Sequence, residues 1–343
     1  MKTAIRVILI LLLIGALGFI GYSYVKGINK TKDANDTALR TIEIVEGSST
    51  IDIAEALEKE GIINRAFDFR LFSKLRGYDG EYLAGTYSLS PSMDMETIAR
   101  VIMTGVVNID FFTIPEGLTV RQIALRLHQN GRADYDKFMA LASSSTFDYD
   151  FLPSDLPEGD ERLAGFLFPD TYSFTEDVDE YAIINMMLSR FGDLYTPEMR
   201  ARAKELGYTD REILTIASII ERETVLPEER ALVSSVIYNR LNAGMNLEMC
   251  STVQFILGEQ KEFLTYEDTS IDDPYNTYIY AGLPPGPICC PGIESIKAAL
   301  YPADTDYLFF VVSAELDGSM AFSSDYDQFL ADKDAYYEAV GVD

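Results

Sequence analysis

The chain has 343 residues, of which 48% are hydrophobic, and it carries a formal net charge of -27 at pH 7. The length suits two packed units plus an anchor, and the composition excludes global disorder. The acidity argues against nucleic acid as a partner, because phosphate contacts need clustered Lys and Arg. A single histidine, His128, cannot form a histidine zinc site and lies far from the motifs described below. Histidine-based hydrolysis and histidine-zinc chemistry are therefore disfavoured, and carboxylate chemistry remains.

An apolar run from residue 7 to residue 25, broken only by Gly and Ser, predicts a transmembrane helix. Nineteen residues at about 1.5 Å per residue just span a bilayer core of about 30 Å. The alternative is a cleaved signal peptide, but its apolar part is shorter and a small-x-small site should follow it. We expect a cytoplasmic head at 1–6, the span at 7–25 and a polar linker at 26–40. The rest of the chain is then expected on the extracytoplasmic side of the cell membrane.

Two segments repeat at a spacing of 70 residues without a gap. The first is Ile44-Val45-Glu46-Gly47 with Ile53-Ala54, Leu57 and Gly61, and the second is Ile114-Pro115-Glu116-Gly117 with Ile123-Ala124, Leu127 and Gly131. Each copy predicts a strand, a glycine turn and a short amphipathic helix that ends at a glycine. A weaker third copy runs from Tyr87 to Ile102. Such units resemble LysM modules, which bind polymers containing N-acetylglucosamine, and a purely structural scaffold is an equal alternative.

A helical segment at residues 211–224 carries two glutamates close to its C-terminus. At about 100° per residue, Glu221 falls inside the apolar arc of the helix, Glu223 lies at the edge of that arc, and Arg222 points away. Desolvation and the helix dipole both disfavour charged carboxylates there. A carboxyl group that stays partly protonated suits general acid catalysis at a glycosidic oxygen. The alternative is a structural Glu that pairs with an Arg such as Arg240.

Rigid, loop-like stretches rich in Tyr, Asn and Thr follow this helix, and these side chains stack on and hydrogen-bond to sugars. The stretches, with the helical region that leads to them, are Ile237–Leu241, Gly244–Glu248, Pro274–Tyr278 and Gly282–Pro287. The Leu-Pro-Pro-Gly sequence in the last of them is typical of turn architecture.

The string Ala217-Ser218-Ile219-Ile220-Glu221-Arg222-Glu223-Thr224 resembles the signature of the YceG-like family, the endolytic murein transglycosylases of the MltG type. Further segments fit the same family in the same order: Ile114–Gly117, Gly165–Tyr172, Asn239–Leu241, Gly244-Met245, Tyr275–Tyr278 and Gly282–Ile288. The resemblance runs from about Thr41 to the C-terminus. It implies an α+β chain, with LysM-like strand/helix repeats at 41–150 and a mainly helical lysozyme/transglycosylase-like catalytic domain at 151–343.

The resemblance also implies an activity and its residues. Glu221, as the first Glu of the family's Glu-x-Glu-Thr, becomes the catalytic acid/base. The implied reaction cleaves the bond between N-acetylmuramic acid and N-acetylglucosamine in nascent peptidoglycan strands, leaves 1,6-anhydro ends and limits strand length beside cell-wall synthesis proteins. One carboxyl group suffices, because the muramic C6 hydroxyl attacks C1 of its own sugar, and neither cofactor nor metal is needed. Candidate substrate-binding residues in the matched segments are Glu223, Asn239, Arg240, Glu248, Thr252, Tyr275, Asn276 and Tyr278.

Two other functions stay open at this point. A non-catalytic wall-binding scaffold would keep the repeats but would not need Glu221 in a cleft. A lysozyme-type hydrolase would leave a reducing end instead of an anhydro end. The presence or absence of a groove beside Glu221 separates the first alternative, and the mass of the products separates the second.

The three cysteines lie where the chain departs from the family pattern. Glu248–Thr252 stands where many members have Gln-x-Asp-Pro-Thr, and Cys289–Gly292 stands where many have Ala-Asn-Pro-Gly. In an oxidising compartment we expect a disulfide from Cys250 to Cys289 or Cys290. Such a bridge would close a loop of about 40 residues and contribute about 3–4 kcal/mol. Three buried thiols are the alternative.

Overall fold

The structure is a computed structural model that describes residues 28–34, 36, 38–105, 110–153, 155–174, 178–261 and 263–341. The predicted head and transmembrane helix lie outside these ranges. Within them, no helix has the length and apolar character needed to cross a membrane. The chain divides into two compact units, one made of residues 1–111 with 173–175 and the other of residues 112–172 with 176–343.

The first unit combines a two-stranded sheet with three helices. Its elements in chain order are β1 (Arg40–Ile44), α1 (Thr50–Lys59), α2 (Ala66–Arg76), β2 (Gly85–Leu89) and α3 (Met95–Thr104). β1 and β2 are antiparallel, with Ile42 opposite Tyr87, and both of these side chains are buried. Alternate residues of each strand face the core, as the two-residue period of a strand requires.

Helix α1 shows how the sequence sets an element of this unit. It begins at a capping box, in which the Ser49 hydroxyl accepts the Asp52 N–H while the Asp52 carboxylate accepts the Ser49 N–H. Ile53, Ala54 and Leu57 then lie on one buried face. Burial of each large apolar side chain contributes about 1.5–3 kcal/mol, so this face holds the helix on the core.

The second unit is mainly helical. The elements that follow α3 are β3 (Asp110–Thr113), α4 (Val120–Gln129), α5 (Tyr135–Ser144), β4 (Thr171–Phe174), α6 (Glu180–Leu194), α7 (Pro197–Leu206), α8 (Asp210–Glu223), α9 (Arg230–Ala243), α10 (Cys250–Leu257), α11 (Tyr266–Thr269), α12 (Ile293–Leu300), β5 (Phe309–Val312), β6 (Met320–Ser323) and α13 (Tyr326–Val340). β3 pairs with β4, and each of these two strands lies partly in the first unit, whereas β5 and β6 form a hairpin in the second unit. Helices and small two-stranded sheets thus make up the described chain, which confirms the α+β class.

The two strong repeat copies both have the predicted order of strand, glycine turn and helix. Gly47 and Gly117 have φ angles of +84° and +78°, and the helices that follow them, α1 and α4, both have ten residues. From Phe112 onward, however, the second copy belongs to the second unit. A boundary between compact units does not test where a functional domain begins, so the division into 41–150 and 151–343 stays a prediction.

Helix α8 forms the centre of the second unit. Eight successive residues, Ile213–Ile220, are all buried, and the helix packs against α7, α9, α10 and α12. The buried stretch includes the polar residues Thr215 and Ser218, whose hydroxyls donate to main-chain carbonyls one turn earlier. Buried hydroxyls are tolerated when they are hydrogen-bonded in this way. The helix is therefore enclosed on all sides rather than along one apolar stripe.

Candidate active site

Glu221 lies in the last turn of α8 and remains partly accessible to solvent. Its Oε2 accepts two hydrogen bonds, from the Gly292 N–H at 3.1 Å and from the Ser295 hydroxyl at 2.7 Å. Both donors belong to the start of α12, where Gly292 is the N-cap residue. These two bonds to one oxygen hold the carboxyl group in position.

The loop that leads into α12 is fastened to the middle of α8. The Ile288 N–H donates to the Ser218 hydroxyl at 3.0 Å, and the Cys289 thiol donates to the Ser218 carbonyl at 3.4 Å. Burial raises the pKa of the Cys289 thiol well above its usual range, so this thiol stays protonated. These bonds fix the position of the loop along α8 and so place the Gly292 N–H within hydrogen-bonding distance of Glu221.

The glycine turn of the second repeat copy lies against the same loop. The Gly117 N–H donates to the Cys290 carbonyl at 2.9 Å, and the Cys290 N–H donates to the Leu118 carbonyl at 2.8 Å. A Cβ at Gly117 would lie 3.8 Å from Cγ of Glu221 and 3.7 Å from Cδ of Arg222. The turn therefore forms a wall directly beside the end of α8.

Glu116, which precedes that turn glycine, brings a second carboxyl group to the site. A Cβ at Gly292 would overlap this carboxyl group, so only glycine leaves room for it at the start of α12. Burial of the carboxyl group and, second, the negative charge of Glu221 raise the pKa of Glu116, while Arg230 opposes the shift. Glu116 and Glu221 thus both lie against Gly292.

Glu223, two residues after Glu221, ties α8 to α10. Its Oε1 accepts the Ser251 N–H at 3.0 Å in the first turn of α10, and burial raises the pKa of this carboxyl group. The neighbouring Cys250 thiol lies 3.1 Å from the Tyr278 hydroxyl. Glu223 therefore joins the end of α8 to the start of α10, a position at a helix N-terminus that suits an acidic side chain.

A cavity of about 470 Å³ opens beside this arrangement, entirely within the second unit. Gly117 and Arg222, which flank Glu221, contribute to its wall. Phe255 and Tyr275 pack together there with ring centroids 4.7 Å apart. Amide and charged groups complete the wall: Gln122, Gln254, Gln260, Arg121, Glu161, Glu259 and Asp273. A concave site with rings and directed polar groups fits a carbohydrate ligand.

Glu161 is one of three acidic residues that line the cavity, together with Glu259 and Asp273. Its Oε2 accepts the Val120 N–H at 3.1 Å at the start of α4, and burial raises its pKa to about 7. The helix N-terminus favours the charged form and desolvation disfavours it, and here desolvation dominates. Near neutral pH this carboxyl group therefore exists in both protonation states.

Among the predicted binding residues, Arg240 has a mainly structural setting. It is only 7% exposed, donates to the Leu308 carbonyl at 2.6 Å and pairs with Glu248 at 3.1 Å. Its guanidinium also lies over the Phe309 ring. Arg240 therefore pairs with Glu248 and not with Glu221, so Glu221 is not the acidic half of a structural ion pair with it.

Four other predicted binding residues have their polar atoms engaged within the protein. Asn239 and Asn276 each donate their amide to two main-chain carbonyls, and Thr252 donates its hydroxyl to one. Tyr278 bonds to Cys250. These side chains shape the loops around the cavity, whereas Tyr275 lines it directly. A direct contact of the four with a substrate stays a prediction.

The expected disulfide is absent, since all three cysteines are free. Each thiol has its own surroundings: Cys250 is exposed beside Tyr278, whereas Cys289 and Cys290 are buried in the loop before α12. Burial raises the pKa of the Cys290 thiol to about 12. The bridge from Cys250 to Cys289 or Cys290 is thus not formed, and the alternative of three buried thiols is also wrong, because Cys250 is exposed.

Sequence reasoning missed four contributors to the site: Glu116, Glu161, Gly292 and Ser295. Glu116 stood inside both a repeat copy and a family segment, but a role beside Glu221 depends on a fold contact across more than a hundred residues. Gly292 belongs to the segment Cys289–Gly292, which the sequence analysis describes only as a departure from the family pattern. No local pattern marks Ser295 or Glu161.

Comparisons with known proteins find related sequences. The model of the YceG-like family matches residues 42–335. The chain is 31% identical over 358 residues to the endolytic murein transglycosylase of Streptococcus pneumoniae serotype 2, an alignment that covers 96% of this chain and 64% of the relative. It is 32% identical over 337 residues to the endolytic murein transglycosylase of Bacillus subtilis, with 95% and 91% covered. This chain thus spans just under two thirds of the pneumococcal relative.

A solved structure has a fold similar to that of this chain. The crystal structure of a YceG-like protein from Listeria monocytogenes matches with a TM-score of 0.57 and 33% sequence identity, and the match covers 85% of this chain and 98% of that one. Together with the family match across most of the sequence, this shows that the chain belongs to the YceG-like family.

Proposed function

We propose that this protein is an endolytic lytic transglycosylase of peptidoglycan, with Glu221 as its only acid/base. The observation that carries the proposal is the setting of Glu221, whose Oε2 is held by Gly292 and Ser295 beside a cavity with aromatic and amide walls. A fully packed Glu221 without a groove would have favoured a wall-binding scaffold instead. Relatives named endolytic murein transglycosylases support the same reaction.

The proposed reaction cleaves the bond between N-acetylmuramic acid and N-acetylglucosamine. Glu221 donates its proton to the leaving glycosidic oxygen, which departs as a hydroxyl with the bonding electron pair. The C6 hydroxyl of the muramic residue attacks C1, and the Glu221 carboxylate takes the proton of that hydroxyl. The product is a 1,6-anhydro end, no water is consumed, and Glu221 is protonated again.

The hydrogen-bond donors at the start of α12 suit the negative charge that Glu221 would carry during this reaction. Midway through the reaction Glu221 is a carboxylate, and hydrogen bonds to a charged oxygen are about twice as strong as those between neutral groups. The Gly292 N–H and the Ser295 hydroxyl are already in position, so no reorganisation is needed when the charge develops.

The wider setting is also part of the proposal. The apolar run at residues 7–25 supports a single-pass anchor in the cell membrane with the catalytic part on the extracytoplasmic side. The order β1-α1-α2-β2, with an antiparallel strand pair, supports a LysM-like module in the first unit. An enzyme anchored there would meet nascent strands beside the cell-wall synthesis proteins and limit the strand length.

Lysozyme-type hydrolysis is the second candidate, and one observation favours it. Hydrolases of this kind use two carboxyl groups, and Glu116 does stand beside Glu221. The two reactions differ in their products, because a hydrolase adds water and leaves a reducing end.

Digestion of purified peptidoglycan with the full chain tests the proposal. Wild type is compared with Glu221→Gln and with Glu294→Gln, an exposed carboxyl on α12 that pairs with Lys297. We expect anhydro ends from wild type and Glu294→Gln, and a loss of about 1,000-fold in Glu221→Gln, since a positioned acid contributes 100- to 10,000-fold. Products heavier by one water would replace the proposal with hydrolysis, and equal activity of Glu221→Gln would overturn the role of Glu221.

A further inference from the structure

We propose that Arg211 binds a carboxylate of the stem peptide that a peptidoglycan strand carries. The inference rests on the substrate of the proposed function and names a part of it, beyond the sugars, that the protein recognises. It starts from a half-buried guanidinium for which the described part of the chain supplies no anionic partner.

Arg211 lies in the first turn of α8, at the end of the helix opposite Glu221. The two Cα atoms are about 15 Å apart along the helix axis, since each residue adds about 1.5 Å. The loop before α12 connects the two ends. A Cβ at Gly286 would overlap the Arg211 guanidinium, and Gly292, further along the same loop, donates to Glu221. One loop thus runs along α8 from the guanidinium to the Glu221 carboxyl group.

Tyr275 links Arg211 to the cavity. Tyr275 lines the cavity, and its hydroxyl lies close enough to the guanidinium for each group to act on the pKa of the other. Burial is the main cause of both shifts, raising the pKa of Tyr275 and lowering that of Arg211. A strand that occupies the cavity would therefore have Arg211 within reach of its substituents.

The acidic residues nearest to Arg211 in sequence are engaged with other partners. Asp210 pairs with Arg200 at 3.4 Å, and Glu212 closes the capping box with Thr209. Nη1 of Arg211 is buried and makes no hydrogen bond, and within the described ranges no ion pair includes this residue. Because arginine stays charged in proteins, its positive charge is not neutralised from within the chain.

This position of a cation is unfavourable for the stability of the protein. Burial of a charge without a partner costs free energy, and the positive end of the helix dipole disfavours a cation in the first turn. The net charge of -27 shows that acidic residues are plentiful, so the missing partner does not reflect a shortage of them. A charged group that lowers stability and has no structural partner fits a contact with a ligand.

The chemistry of the strand identifies the anion. The N-acetylated sugars are uncharged, and where a stem peptide is attached, the lactyl group of the muramic residue forms an amide, so the ionised carboxylates belong to the peptides. A planar guanidinium binds a carboxylate through two parallel hydrogen bonds. A peptide of about four or five residues, extended at about 3.3–3.6 Å per residue, spans the distance from Glu221 to Arg211.

Binding of soluble strands to the full chain tests this contact. Every protein in the test also carries Glu221→Gln, so that the strands stay intact. Strands with their stem peptides are compared with strands from which an amidase has removed the peptides, which keep a lactyl carboxylate on each muramic residue and so control for negative charge alone. We expect the peptide-bearing strands to bind about tenfold more tightly, as hydrogen bonds between charged groups allow.

Arg211→Met should remove this preference, and Arg211→Lys, which keeps the charge but not the planar fork, should retain part of it. Arg202→Met is the matched control, because Arg202 is also half-buried but has its partners within the protein. It donates to the Leu300 carbonyl at 3.2 Å, pairs with Glu205 at 3.1 Å and lies over the Tyr301 ring. Arg202→Met should keep the preference for peptide-bearing strands.

Thermal unfolding separates a ligand contact from a structural role. We expect Arg202→Met to lower the midpoint by about 2–4 °C, because it loses partners within the protein. Arg211→Met should leave the midpoint unchanged or raise it, since an unpaired, half-buried charge is removed. A similar drop in both variants would show that Arg211 stabilises the fold, and would overturn the proposal.

Three binding results would also overturn it: equal binding of the two strand preparations by the protein with Arg211 intact, a preference that survives Arg211→Met, or an equal loss of affinity for both preparations in that variant. A failure of the proposed reaction gives a different result. Wild type would then release no anhydro ends, while a preference for stem peptides that disappears in Arg211→Met would still uphold the contact.

Discussion

The two strong copies of the repeat, which lie 70 residues apart, have the same backbone conformation at their turn glycine but different neighbours. Gly47 and Gly117 share a left-handed conformation, yet no described atom lies within 4 Å of a Cβ placed at Gly47, whereas one at Gly117 would touch Glu221. The glutamate before Gly117, Glu116, also lies against the site, at Gly292. The motif therefore encodes a turn, and the surroundings of each copy decide whether that turn lies beside the candidate site.

The glycines that follow the helices of the two copies reverse this contrast. A Cβ at Gly61 would lie 2.7 Å from Nη1 of Arg40, whereas a Cβ at Gly131 would meet no described atom within 4 Å. Arg40 and Lys32 also donate to the Gly61 carbonyl. The first copy is therefore crowded after its helix and the second copy before its helix.

The largest effect is expected from valine at the two turn glycines. Gly117→Val and Gly47→Val should each lose about 2–3 kcal/mol of stability, because a β-branched residue is strained at positive φ. Gly117→Val should also lose more than 100-fold in activity per folded molecule, since its methyl groups reach Glu221, whereas Gly47→Val should keep its activity. Thermal unfolding and product release measure the two effects, and equal activities would remove the functional contrast between the copies.

A smaller difference is expected at the glycines after the helices. Gly131→Ala should cost about 1 kcal/mol for its left-handed conformation. Gly61→Ala should cost about 2 kcal/mol, because the Arg40 guanidinium must also leave its carbonyl partners. Denaturant unfolding measures both values. The same cost at the two positions would mean that Arg40 moves without loss.

The smallest effect concerns the way the two helices begin. Both α1 and α4 have a capping box, but α4 also receives Glu161, whose pKa burial raises to about 7 from 4.5. The native state then keeps a proton that the unfolded chain has released, so stability falls as pH rises from about 4.5 to about 7. A shift of this size corresponds to about 3 kcal/mol at most, and the partial exposure of Glu161 reduces it, so in Glu161→Gln we expect a gain of about 1 kcal/mol over wild type at pH 8 relative to pH 4. The measurement is the unfolding free energy of both proteins across this pH range, and parallel changes in the two values would contradict the prediction.

Local patterns in the sequence predicted the secondary structure of the repeat copies and the helical position of Glu221. The strand, turn and helix of each repeat copy follow from apolar period and glycine position, and the place of Glu221 near the end of a helix follows from the same period. The partners of Glu221 did not follow, because Gly292 and Ser295 reach it across about 70 residues of chain.

Residue type alone does not show whether the polar atoms of a side chain are already engaged within the protein. Asn239 and Arg240 have the side chains that sugars need, but their donors face main-chain carbonyls of the segment before β5. Nothing in the local sequence distinguishes an amide that faces a ligand from one that faces a loop. Tyr275, predicted on the same grounds, does line the cavity.

The hydrogen bonds between Leu118 and Cys290 have a consequence for the time course of folding. They join points that are 290 - 118 = 172 residues apart, and contacts of such high sequence separation form only after a large loss of chain entropy. Helix α8 is local and can form early, but the donors to Glu221 arrive with the distant loop. A nascent chain therefore has Glu221 long before the donors that hold it are in place, so the proposed activity depends on completed folding.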